Sequence, residues 1–356
     1  MNLIVSNYVL GNDLNGMEDK FDSSVRIAQY RSGDRFFPKF KIIFLPIIES
    51  LFGNGFIHIY ECPTRLLNIR FPGQVNIYLS HGWGVKRSPG ILEVQSKRDL
   101  SVWRTLRKST DYVICYSNFD STYFFNHELL NDLPLPEFIP LGHPRNDFLV
   151  RMKDNTDYLE KQRKRLGIPY DSKIILFAPT HREPKTFDGF YDKQLLELHI
   201  RQFEEIDKVC AERNLYILYR PHYLVSKSFK TDFSNIIFVT SEKEPDPRPL
   251  MLISDILITD YSSIYVDYLL LEKPLVFYQP DLELYQNTLR GLVVDPNNPV
   301  HFPGPRISKL QEIFELSEND LNKFDLKASK NFFHRYSDDK ALERIANFLK
   351  ENFYRK

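Results

Sequence analysis

The sequence predicts an α/β protein with two lobes, and three observations lead to that prediction. Short, continuous apolar runs of strand length alternate with longer amphipathic stretches. The runs are rich in Ile, Val and Phe, which is typical of strands buried on both faces of a parallel sheet. A length of 356 residues corresponds to about two domains. Strand–helix alternation over that length indicates two α/β lobes.

The apolar runs are the predicted strands. They span residues 41–45, 55–60, 75–80, 112–117, 173–178, 214–219, 236–239, 256–259 and 274–278. Helices are predicted in the amphipathic stretches. These span residues 121–130, 157–165, 191–213, 248–253, 264–271 and 339–353. Residues 1–40 contain only one short apolar run, so we expect the chain not to begin with a strand.

The clearest domain boundary lies in residues 148–172, which are polar and strongly charged. The apolar strand KIILFA follows at once, as if a new domain started there. We therefore predict one lobe over residues 1–150 and a second over residues 151–330. Residues 331–356 carry a final helix whose apolar positions share one face, so we expect it to pack back on a lobe.

The composition limits the classes of protein to which the chain can belong. Its 47 Lys and Arg balance 47 Asp and Glu, which argues against a nucleic-acid binder and its basic excess. No apolar run approaches about 18 residues, so no transmembrane helix is predicted. The N-terminus lacks the basic start and the cleavage site of a signal peptide. Three scattered cysteines form no CxxC pair, so we expect a reducing compartment and a cytoplasmic protein.

The first candidate site, HGWGVKR at residues 81–87, follows the predicted strand that ends at Ser80. Ligands of open α/β sheets bind outside the carboxyl ends of the strands, which places His81 on the functional edge. The glycines permit close approach of the backbone, and Lys86 and Arg87 add positive charge. A buried histidine on a tight turn is the alternative interpretation.

A second turn, GHPRND at residues 142–147, also follows an apolar stretch. Gly142 and Pro144 force the turn, and the planar guanidinium of Arg145 is suited to holding an anion. A structural loop that leads into the interdomain linker explains the same residues. The spacing alone does not choose between these interpretations.

Two further turns follow predicted strands of the second lobe. In PTHR, residues 179–182, hydroxyl, imidazole and guanidinium groups cluster after the strand KIILFA. In RPH, residues 220–222, a histidine follows the strand NLYILY. A histidine titrates near neutral pH, so it can take a proton from a hydroxyl nucleophile. A helix N-cap by Thr180 and a structural histidine are the alternative interpretations.

The strongest single signal is DILITDYSSI at residues 255–264, where a buried strand runs into polar residues and a helix follows. The hydroxyls of Ser262 and Ser263, with the N–H groups of a helix N-terminus, form an anion site suited to phosphate. Capping explains one or two of these polar residues but not all of them. The chain has neither a Walker A loop nor GxGxxG, which argues against ATPase or dinucleotide chemistry.

Arg290, which precedes Gly291, is a candidate clamp for a phosphoryl oxygen. A surface arginine at a helix end is the default alternative. No metal site is predicted, because the histidines lack HxxxH spacing with a carboxylate and CxxC is missing. The GxSxG motif of a serine nucleophile is missing too.

Six of these pieces occur in one order along the chain. They are His81-Gly82, the 142–147 turn, APTHR at 178–182, Arg220-Pro221-His222, ITDYSS at 258–263 and Leu289-Arg290-Gly291. Together they resemble the CDP-glycerol glycerophosphotransferase family of teichoic acid and capsule synthesis. The resemblance covers residues 75–305 and is most specific from ILITDYSS onward.

The resemblance implies a GT-B architecture, in which two Rossmann-like lobes face a central cleft. The first lobe is the acceptor side, and the second binds the nucleotide donor. It implies transfer of a polyol phosphate, glycerol phosphate with ribitol phosphate as the alternative, from a CDP-polyol to an acceptor hydroxyl, with release of CMP. The acceptor is lipid-linked or oligomeric, and members act at the inner face of the cell membrane. No resident cofactor is implied, and a Mg²⁺ ion held by the donor diphosphate stays open.

The resemblance also assigns roles by position. His81 and His222 match the two catalytic histidines; one is the general base on the acceptor hydroxyl, and the other stabilises developing charge. The residues assigned to the donor phosphates are Ser262, Ser263, Arg290, Thr180 and Arg182. The residues assigned to the nucleotide or the cleft lining are Gly142, Pro144, Arg145, Pro179, Arg220, Asp260 and Asp267.

Some features depart from the family pattern. The first motif has His-Gly-Trp-Gly-Val-Lys where the family has His-Gly-Thr-Pro-Leu-Lys. The chain shows no strongly hydrophobic anchor for peripheral attachment to a membrane. Residues 30–41, YRSGDRFFPKFK, combine basic and Phe side chains that suit an anionic surface, with a solvated loop as the alternative.

Three other classes of protein share some of these features. A GT-B glycosyltransferase that uses a nucleotide sugar shares the lobes and a phosphate site. The 142–147 turn also resembles a piece of UDP-N-acetylglucosamine 2-epimerases, but those would need carboxylates rather than histidines in the cleft. A non-enzymatic binding module would not need two histidines at strand ends of opposite lobes.

Overall fold

The computed structural model describes residues 3–8, 14, 16–21, 25–31, 55–61, 70–80, 82–180, 190–221 and 232–354. The chain divides into two compact units. Unit 1 comprises Met1–Trp83, Glu93–Val150 and Phe333–Lys356, and unit 2 comprises Gly84–Leu92 and Arg151–Phe332. Each unit contains a parallel sheet with helices, so the predicted α/β class is confirmed. The predicted strand at 41–45 lies outside the described residues.

The sheet of unit 1 has six described strands. They are β1 (Leu3–Tyr8), β2 (Arg26–Arg31), β3 (Phe56–Tyr60), β4 (Gln74–Tyr78), β5 (Tyr112–Cys115) and β6 (Glu137–Pro140). Their order is β2-β1-β3-β4-β5-β6, and every pairing is parallel. The expectation that the chain does not begin with a strand is wrong, because β1 pairs with β2 on one side and β3 on the other. Pairing on both sides stabilises a strand whose own apolar run is short.

The helices described with this sheet have at most 13 residues. They are α1 (Ile91–Gln95), α2 (Lys97–Ser109), α3 (Asn118–Tyr123), α4 (Pro144–Met152) and, at the C-terminus, Ala341–Phe353, with 3₁₀ turns at Glu18–Lys20 and Glu128–Leu130. The helix predicted over 121–130 is wrong in its bounds. Ser117 caps α3 by accepting from the N–H of Phe119, and Phe125 has a φ of +64°. A left-handed residue cannot continue an α-helix, so α3 ends before it.

The C-terminal helix packs against the sheet of unit 1. Its residues Ile345 and Leu349 are fully buried with Ile59, Ile77 and Ile114 of the central strands. Three apolar strands and one helix face thus form a single core. The predicted amphipathic face of this helix is therefore the face that it buries.

Asp147 connects the 142–147 turn to the same helix. Its Oδ1 accepts from the N–H of Ala341 at 2.9 Å, and its Oδ2 accepts from the N–H of Leu342 at 2.9 Å. Both N–H groups belong to the first turn of the helix, where no intrahelical acceptor exists. Arg344 adds a bond from its Nε to the carbonyl of Leu141, 2.8 Å away. The turn therefore holds the C-terminal helix on its unit.

Asp147→Ala is expected to lower the free energy of unfolding by about 1–3 kcal/mol, because it leaves one buried and one half-buried N–H group without an acceptor. Chemical denaturation followed by circular dichroism measures the change. Asp320→Ala is the matched control, because Asp320 caps an exposed helix start by accepting from the N–H of Ser317, and it should cost clearly less. Equal losses for the two variants would contradict the assignment.

The sheet of unit 2 also has six described strands. They are β7 (Lys173–Phe177), β8 (Leu215–Tyr219), β9 (Ile236–Phe238), β10 (Ile256–Thr259), β11 (Leu275–Tyr278) and β12 (Arg306–Ile307). All pairings are parallel, in the order β12-β11-β10-β7-β8-β9. The chain leaves β7 towards one edge and returns at β10 to build the other. This is the doubly wound Rossmann order, and the β7/β10 boundary is its topological switch point.

Helices flank this sheet. They are α5 (Thr156–Arg165), α6 (Phe190–Glu212), α7 (Arg248–Ile253), α8 (Ile264–Tyr268), α9 (Leu282–Leu284), α10 (Glu318–Asn322) and α11 (Leu326–Phe333). The C-terminal helix of unit 1, Ala341–Phe353, is numbered α12. The longest, α6, buries Phe203 and Ile206 against Phe177, Ile217 and Ile258 of the central strands. These β-branched and aromatic contacts bury β7 and β10 on this face, so the ends of both strands are held in place.

Candidate active site

The switch point of unit 2 is built around the carboxylate of Asp260, directly after β10. Asp260 is 1% exposed. Its Oδ1 accepts from the N–H of Thr180 at 2.8 Å, from the Thr180 hydroxyl at 2.5 Å and from the N–H of Tyr261 at 2.6 Å. Thr180 lies just beyond β7, so one carboxylate joins the ends of the two strands that flank the switch point. Asp260, predicted to line the cleft, is buried and serves to hold Thr180.

Ser262 and Ser263 follow this carboxylate and are half-buried. Ser262 Oγ accepts from the N–H of Ile264 at 3.4 Å, whereas the Ser263 side chain makes no capping bond to α8. The predicted helix at 264–271 is α-helical only to Tyr268 and continues as a 3₁₀ turn over Leu269–Leu271. Both hydroxyls thus lie at the carboxyl edge of the sheet, where a Rossmann-type sheet binds phosphate.

Residues 84–92, which we call the strap, run beside the Arg290 turn. Lys86 forms an antiparallel bridge with Leu292. Backbone hydrogen bonds join Arg87 N to Gly291 O at 3.0 Å and Ile91 N to Arg290 O at 3.0 Å. The strap begins within the predicted motif at residues 81–87, yet it belongs to unit 2. It therefore supplies Lys86 and Arg87 to the neighbourhood of Arg290.

Two glycines let the strap approach the predicted phosphate residues closely. A Cβ on Gly84 would lie 3.1 Å from Ser263 Cβ, and a Cβ on Gly90 would lie 2.6 Å from Arg290 Cδ. Real Cβ atoms do not come as close as the second distance, so a side chain at position 90 would have to displace that of Arg290. The strap thus crosses Ser263 at one end and Arg290 at the other.

Arg290 is held on the strap by its own side chain and by the turn before it. Its Nε donates to the carbonyl of Arg87 at 3.1 Å. The preceding residues, Tyr285–Leu289, form a π-helical turn, a rare form found often at functional sites. The ring of Tyr285 stacks on Tyr261 with centroids 3.8 Å apart. This stack ties the Arg290 turn to the residue that follows Asp260.

Arg220 has a structural role in unit 2. Its Nη1 donates to the carbonyl of Glu244 at 2.6 Å, and its Nη2 to that of Pro245 at 3.3 Å. Burial lowers the pKa of its guanidinium, while the nearby carboxylates of Glu244 and Asp246 raise it. The side chain thus joins the turn after β8 to the loop after β9. Contact of Arg220 with a nucleotide stays a prediction.

The remaining predicted residues of unit 2 occupy two environments. Pro179 is half-buried directly after Ala178, at the end of β7. Asp267 is 1% exposed within α8. A cleft-lining role for either residue stays a prediction.

In unit 1, the predicted residues of the 142–147 turn contact protein groups. Gly142 has a φ of +82°, and a Cβ there would lie 3.4 Å from Ala341 Cβ of α12. Pro144 is buried at the first position of α4, where a missing N–H costs nothing. Arg145 is half-buried, and its N–H donates to His143. The turn therefore has the structural role that the sequence left open, and its contact with a nucleotide stays a prediction.

The predicted residues His81, Arg182 and His222, and the basic stretch at 32–41, lie outside the described residues. Within the described ranges, no group of three His, Cys, Asp or Glu side chains is arranged to hold a metal ion. Among the helices that the structure describes, none has the length and apolar character needed to cross a bilayer.

Polar turns at the switch point of a doubly wound sheet place the chain in the Rossmann-type class of α/β proteins, whose ligands bind at that point. Within that class, the chain belongs to the CDP-Glycerol:Poly(glycerophosphate) glycerophosphotransferase family, which it matches over residues 58–351. It is 39% identical, over 187 residues, to a teichoic acid poly(glycerol phosphate) polymerase of Bacillus spizizenii. That match covers 52% of this chain and 45% of the relative. The chain spans between 26% and 60% of the first four curated relatives that it matches.

Solved structures share the fold. The wall teichoic acid polymerase TagF superposes with a TM-score of 0.71 and 21% identity, covering 98% of this chain and 88% of that chain. A UDP-N-acetylglucosamine 2-epimerase from Listeria monocytogenes, itself described as putative, superposes with a TM-score of 0.56 and 12% identity, covering 99% and 96%. At these identities the likeness concerns the fold alone, and it agrees with the predicted Rossmann-like lobes.

The pairing of the strap with the Arg290 turn was not predicted from the sequence. Two signals were present in the chain: the glycines at 84 and 90, and the left-handed Gly291 with a φ of +83°. Each is an ordinary turn signal by itself. The partners are about 200 residues apart in sequence, so local patterns do not reveal that they meet.

Proposed function

We propose that the chain transfers a polyol phosphate, glycerol phosphate first of all, from a CDP-polyol to an acceptor hydroxyl and releases CMP. The family match over residues 58–351 carries this proposal. The geometry of unit 2 supports it, because polar side chains follow both strands of its switch point. The activity of a teichoic acid polymerase is the property of longer relatives, and for this chain it is part of the proposal.

The donor diphosphate is assigned to Ser262, Ser263, Thr180 and Arg290. The serine hydroxyls and the Arg290 guanidinium can donate to phosphoryl oxygens. The hydroxyl hydrogen of Thr180 is donated to Asp260, so Thr180 contributes by its position at the end of β7. Thr180 is fixed by Asp260, and Arg290 is fixed by the strap. Groups held in advance stabilise developing charge without reorganisation during the reaction.

In the proposed reaction, the acceptor hydroxyl oxygen attacks the phosphorus that bears the polyol. The bond from that phosphorus to the oxygen of CMP breaks, and CMP leaves with the electron pair. One histidine, His222 or His81, takes the proton of the acceptor hydroxyl as general base. The other histidine, with Arg290 and the serines, stabilises the charge that develops on the phosphoryl oxygens. Phosphoryl transfer depends chiefly on such positioning and neutralisation.

The acceptor and the location are further parts of the proposal. A growing polyol-phosphate chain or a lipid-linked saccharide supplies the attacking hydroxyl, and the enzyme works at the inner face of the cell membrane. The basic stretch at 30–41 is assigned to that surface. A Mg²⁺ ion, if the reaction uses one, is held by the donor diphosphate, since hard cations prefer phosphate oxygens.

A donor panel tests the proposed function. The protein is incubated with CDP-glycerol, CDP-ribitol or a UDP-sugar, together with an oligomeric glycerol phosphate acceptor or a lipid-linked disaccharide. We expect release of CMP from CDP-glycerol that depends on the acceptor. Release of UDP from a UDP-sugar, with no CMP from either CDP-polyol, would establish the nucleotide-sugar glycosyltransferase instead.

A further inference from the structure

His143, in the 142–147 turn, is a buried histidine to which the proposed reaction gives no role. It is 1% exposed. One ring nitrogen, Nε2, lies 3.1 Å from the carbonyl oxygen of Ser80, and the other, Nδ1, lies 3.2 Å from the backbone nitrogen of Arg145. Ser80 is 63 residues earlier in the chain. The imidazole therefore joins the turn after β6 to the turn after β4.

The two bonds define which ring nitrogen carries the proton. The backbone N–H of Arg145 can only donate, so Nδ1 accepts and is unprotonated. The carbonyl of Ser80 can only accept, so Nε2 carries the hydrogen and donates it. His143 is therefore assigned as the neutral Nε2–H tautomer. With the hydrogen on Nδ1 instead, neither of these two hydrogen bonds could form.

The carbonyl that His143 holds belongs to an unusual residue. Ser80 has a φ of +62° and is 4% exposed. A residue other than glycine in the left-handed region is costly, and such residues concentrate at functional sites. The Ser80 hydroxyl donates to the carbonyl of Gly82 at 3.1 Å. Two hydrogen bonds thus favour this conformation of Ser80. One is made within the turn, to Gly82, and the other comes from His143, which is 63 residues away in sequence.

The same carbonyl is part of the peptide bond that leads into His81. A peptide group is planar, so holding the Ser80 oxygen restricts the orientation of the peptide bond that follows Ser80. The ring of His143 is itself restrained by the edge-on contact with Tyr116, with centroids 5.9 Å apart. Tyr116 in turn stacks on His334 at 5.0 Å. The restraint therefore comes from a packed core and not from a mobile side chain.

We propose that His143 is a positioning residue, which orients the backbone of His81 through the carbonyl of Ser80. It touches neither donor nor acceptor. The proposal rests on the proposed function and on the catalytic role of His81. It gives a role to the histidine of the 142–147 turn beside that of Asp147, which holds the C-terminal helix.

Two variants of His143 test the proposal. His143→Phe fills the space but removes both hydrogen bonds, whereas His143→Gln keeps an amide donor near the Nε2 position. For CDP-glycerol-dependent CMP release, His143→Phe should lower kcat about 10- to 100-fold, the loss that a misplacement of about 1 Å produces. The KM for CDP-glycerol should stay unchanged, because the assigned donor groups belong to unit 2. His143→Gln should recover most of kcat.

His127→Gln is the matched control. The Nδ1 of His127 also accepts from a backbone N–H two residues on, that of Leu129 at 3.2 Å, but it has no bond to Ser80. This variant should keep full kcat. In the His81→Ala background, His143→Phe should have no further effect on residual turnover, since a residue that acts through another is silent once that other is removed.

A second measurement keeps the proposal testable if His143→Phe does not fold. Nuclear magnetic resonance of the full chain, with nitrogen-labelled histidine, reports the tautomer of each ring. The signal that disappears in His143→Gln should be that of a neutral Nε2–H imidazole. The opposite tautomer, or normal kcat in a folded His143→Phe protein, overturns the proposal. Absence of CMP release from the unaltered protein instead refutes the proposed function, and the tautomer measurement is still decisive for the geometry.

Discussion

His222→Ala and His81→Ala should each lower kcat for CMP release from CDP-glycerol by about two to four orders of magnitude and leave a residual rate that can be measured. A general base contributes about 10²- to 10⁴-fold to the rate, and stabilisation of phosphoryl charge contributes a comparable factor. Each substitution removes one of these two effects and leaves the donor groups of unit 2 in place. The expected result is a fall in kcat with little change in the KM for CDP-glycerol, measured by chromatography of released CMP.

The dependence of the rate on pH separates the two roles. The general base must be unprotonated, so kcat/KM of the unaltered protein should fall towards acidic pH, with a limb that reports the base. The variant that lacks the base should lose this limb in its residual activity. The other variant should keep the limb and show only a lower plateau.

His301→Ala is a suitable control for this pair. The Nδ1 of His301 lies 3.3 Å from the carbonyl oxygen of Asp295, at the surface and in none of the assigned roles. Its variant should keep its rate and its unfolding transition. If both His222→Ala and His81→Ala also kept near-normal rates while folded, the histidine mechanism would be wrong.

The parallel sheets were predictable because their central strands have the composition that burial on both faces requires. KIILF at β7 and ILIT at β10 appear at the predicted positions. The first strands of unit 1 were not predictable in the same way, because LIVSNY and RIAQYR contain polar residues. Their stability comes from pairing with neighbours, which is a tertiary effect.

The site was predictable where it follows a strand and not where it depends on distant pairing. Thr180, Ser262 and Ser263 follow the strands that flank the switch point, so the strand-end rule places them correctly on the carboxyl edge. Asp260 accepts hydrogen bonds from Thr180 because β7 and β10 are neighbours in the sheet. Local sequence patterns do not show which distant strands will pair. The pairing of the strap with the Arg290 turn could not be predicted for the same reason, because the two segments are distant in sequence.

The second prediction with a large effect concerns Gly90, a residue with no chemistry of its own. A Cβ on Gly90 would lie 2.6 Å from Cδ, 2.9 Å from Nε and 3.1 Å from the carbonyl oxygen of Arg290. The three heavy atoms nearest to that Cβ all belong to Arg290. In Gly90→Ala, the Arg290 side chain must therefore move away from its bond to the carbonyl of Arg87.

If Arg290 binds the donor phosphates, this displacement removes a hydrogen bond to a charged group. Such a bond contributes about 1.5–3 kcal/mol, which corresponds to a decrease of about 10- to 100-fold in kcat/KM for CDP-glycerol. Arg290→Ala should show a decrease of the same size, because it removes the same group outright. Steady-state kinetics with CDP-glycerol as the varied substrate measures both.

The double variant decides whether Gly90 acts through Arg290. Arg290→Ala leaves no Cδ or Nε for the new methyl group to displace, so adding Gly90→Ala should cost little more than Arg290→Ala alone. Contacts that share one partner give such non-additive effects, whereas independent sites add. Arg306→Ala is the control for loss of an arginine in the same unit. The Nη2 of Arg306 donates to the carbonyl of Pro296 at 2.7 Å, and Arg306 has no assigned role in donor binding. A full additional loss in the double variant would mean that Gly90 serves the fold of the strap and not the placement of Arg290.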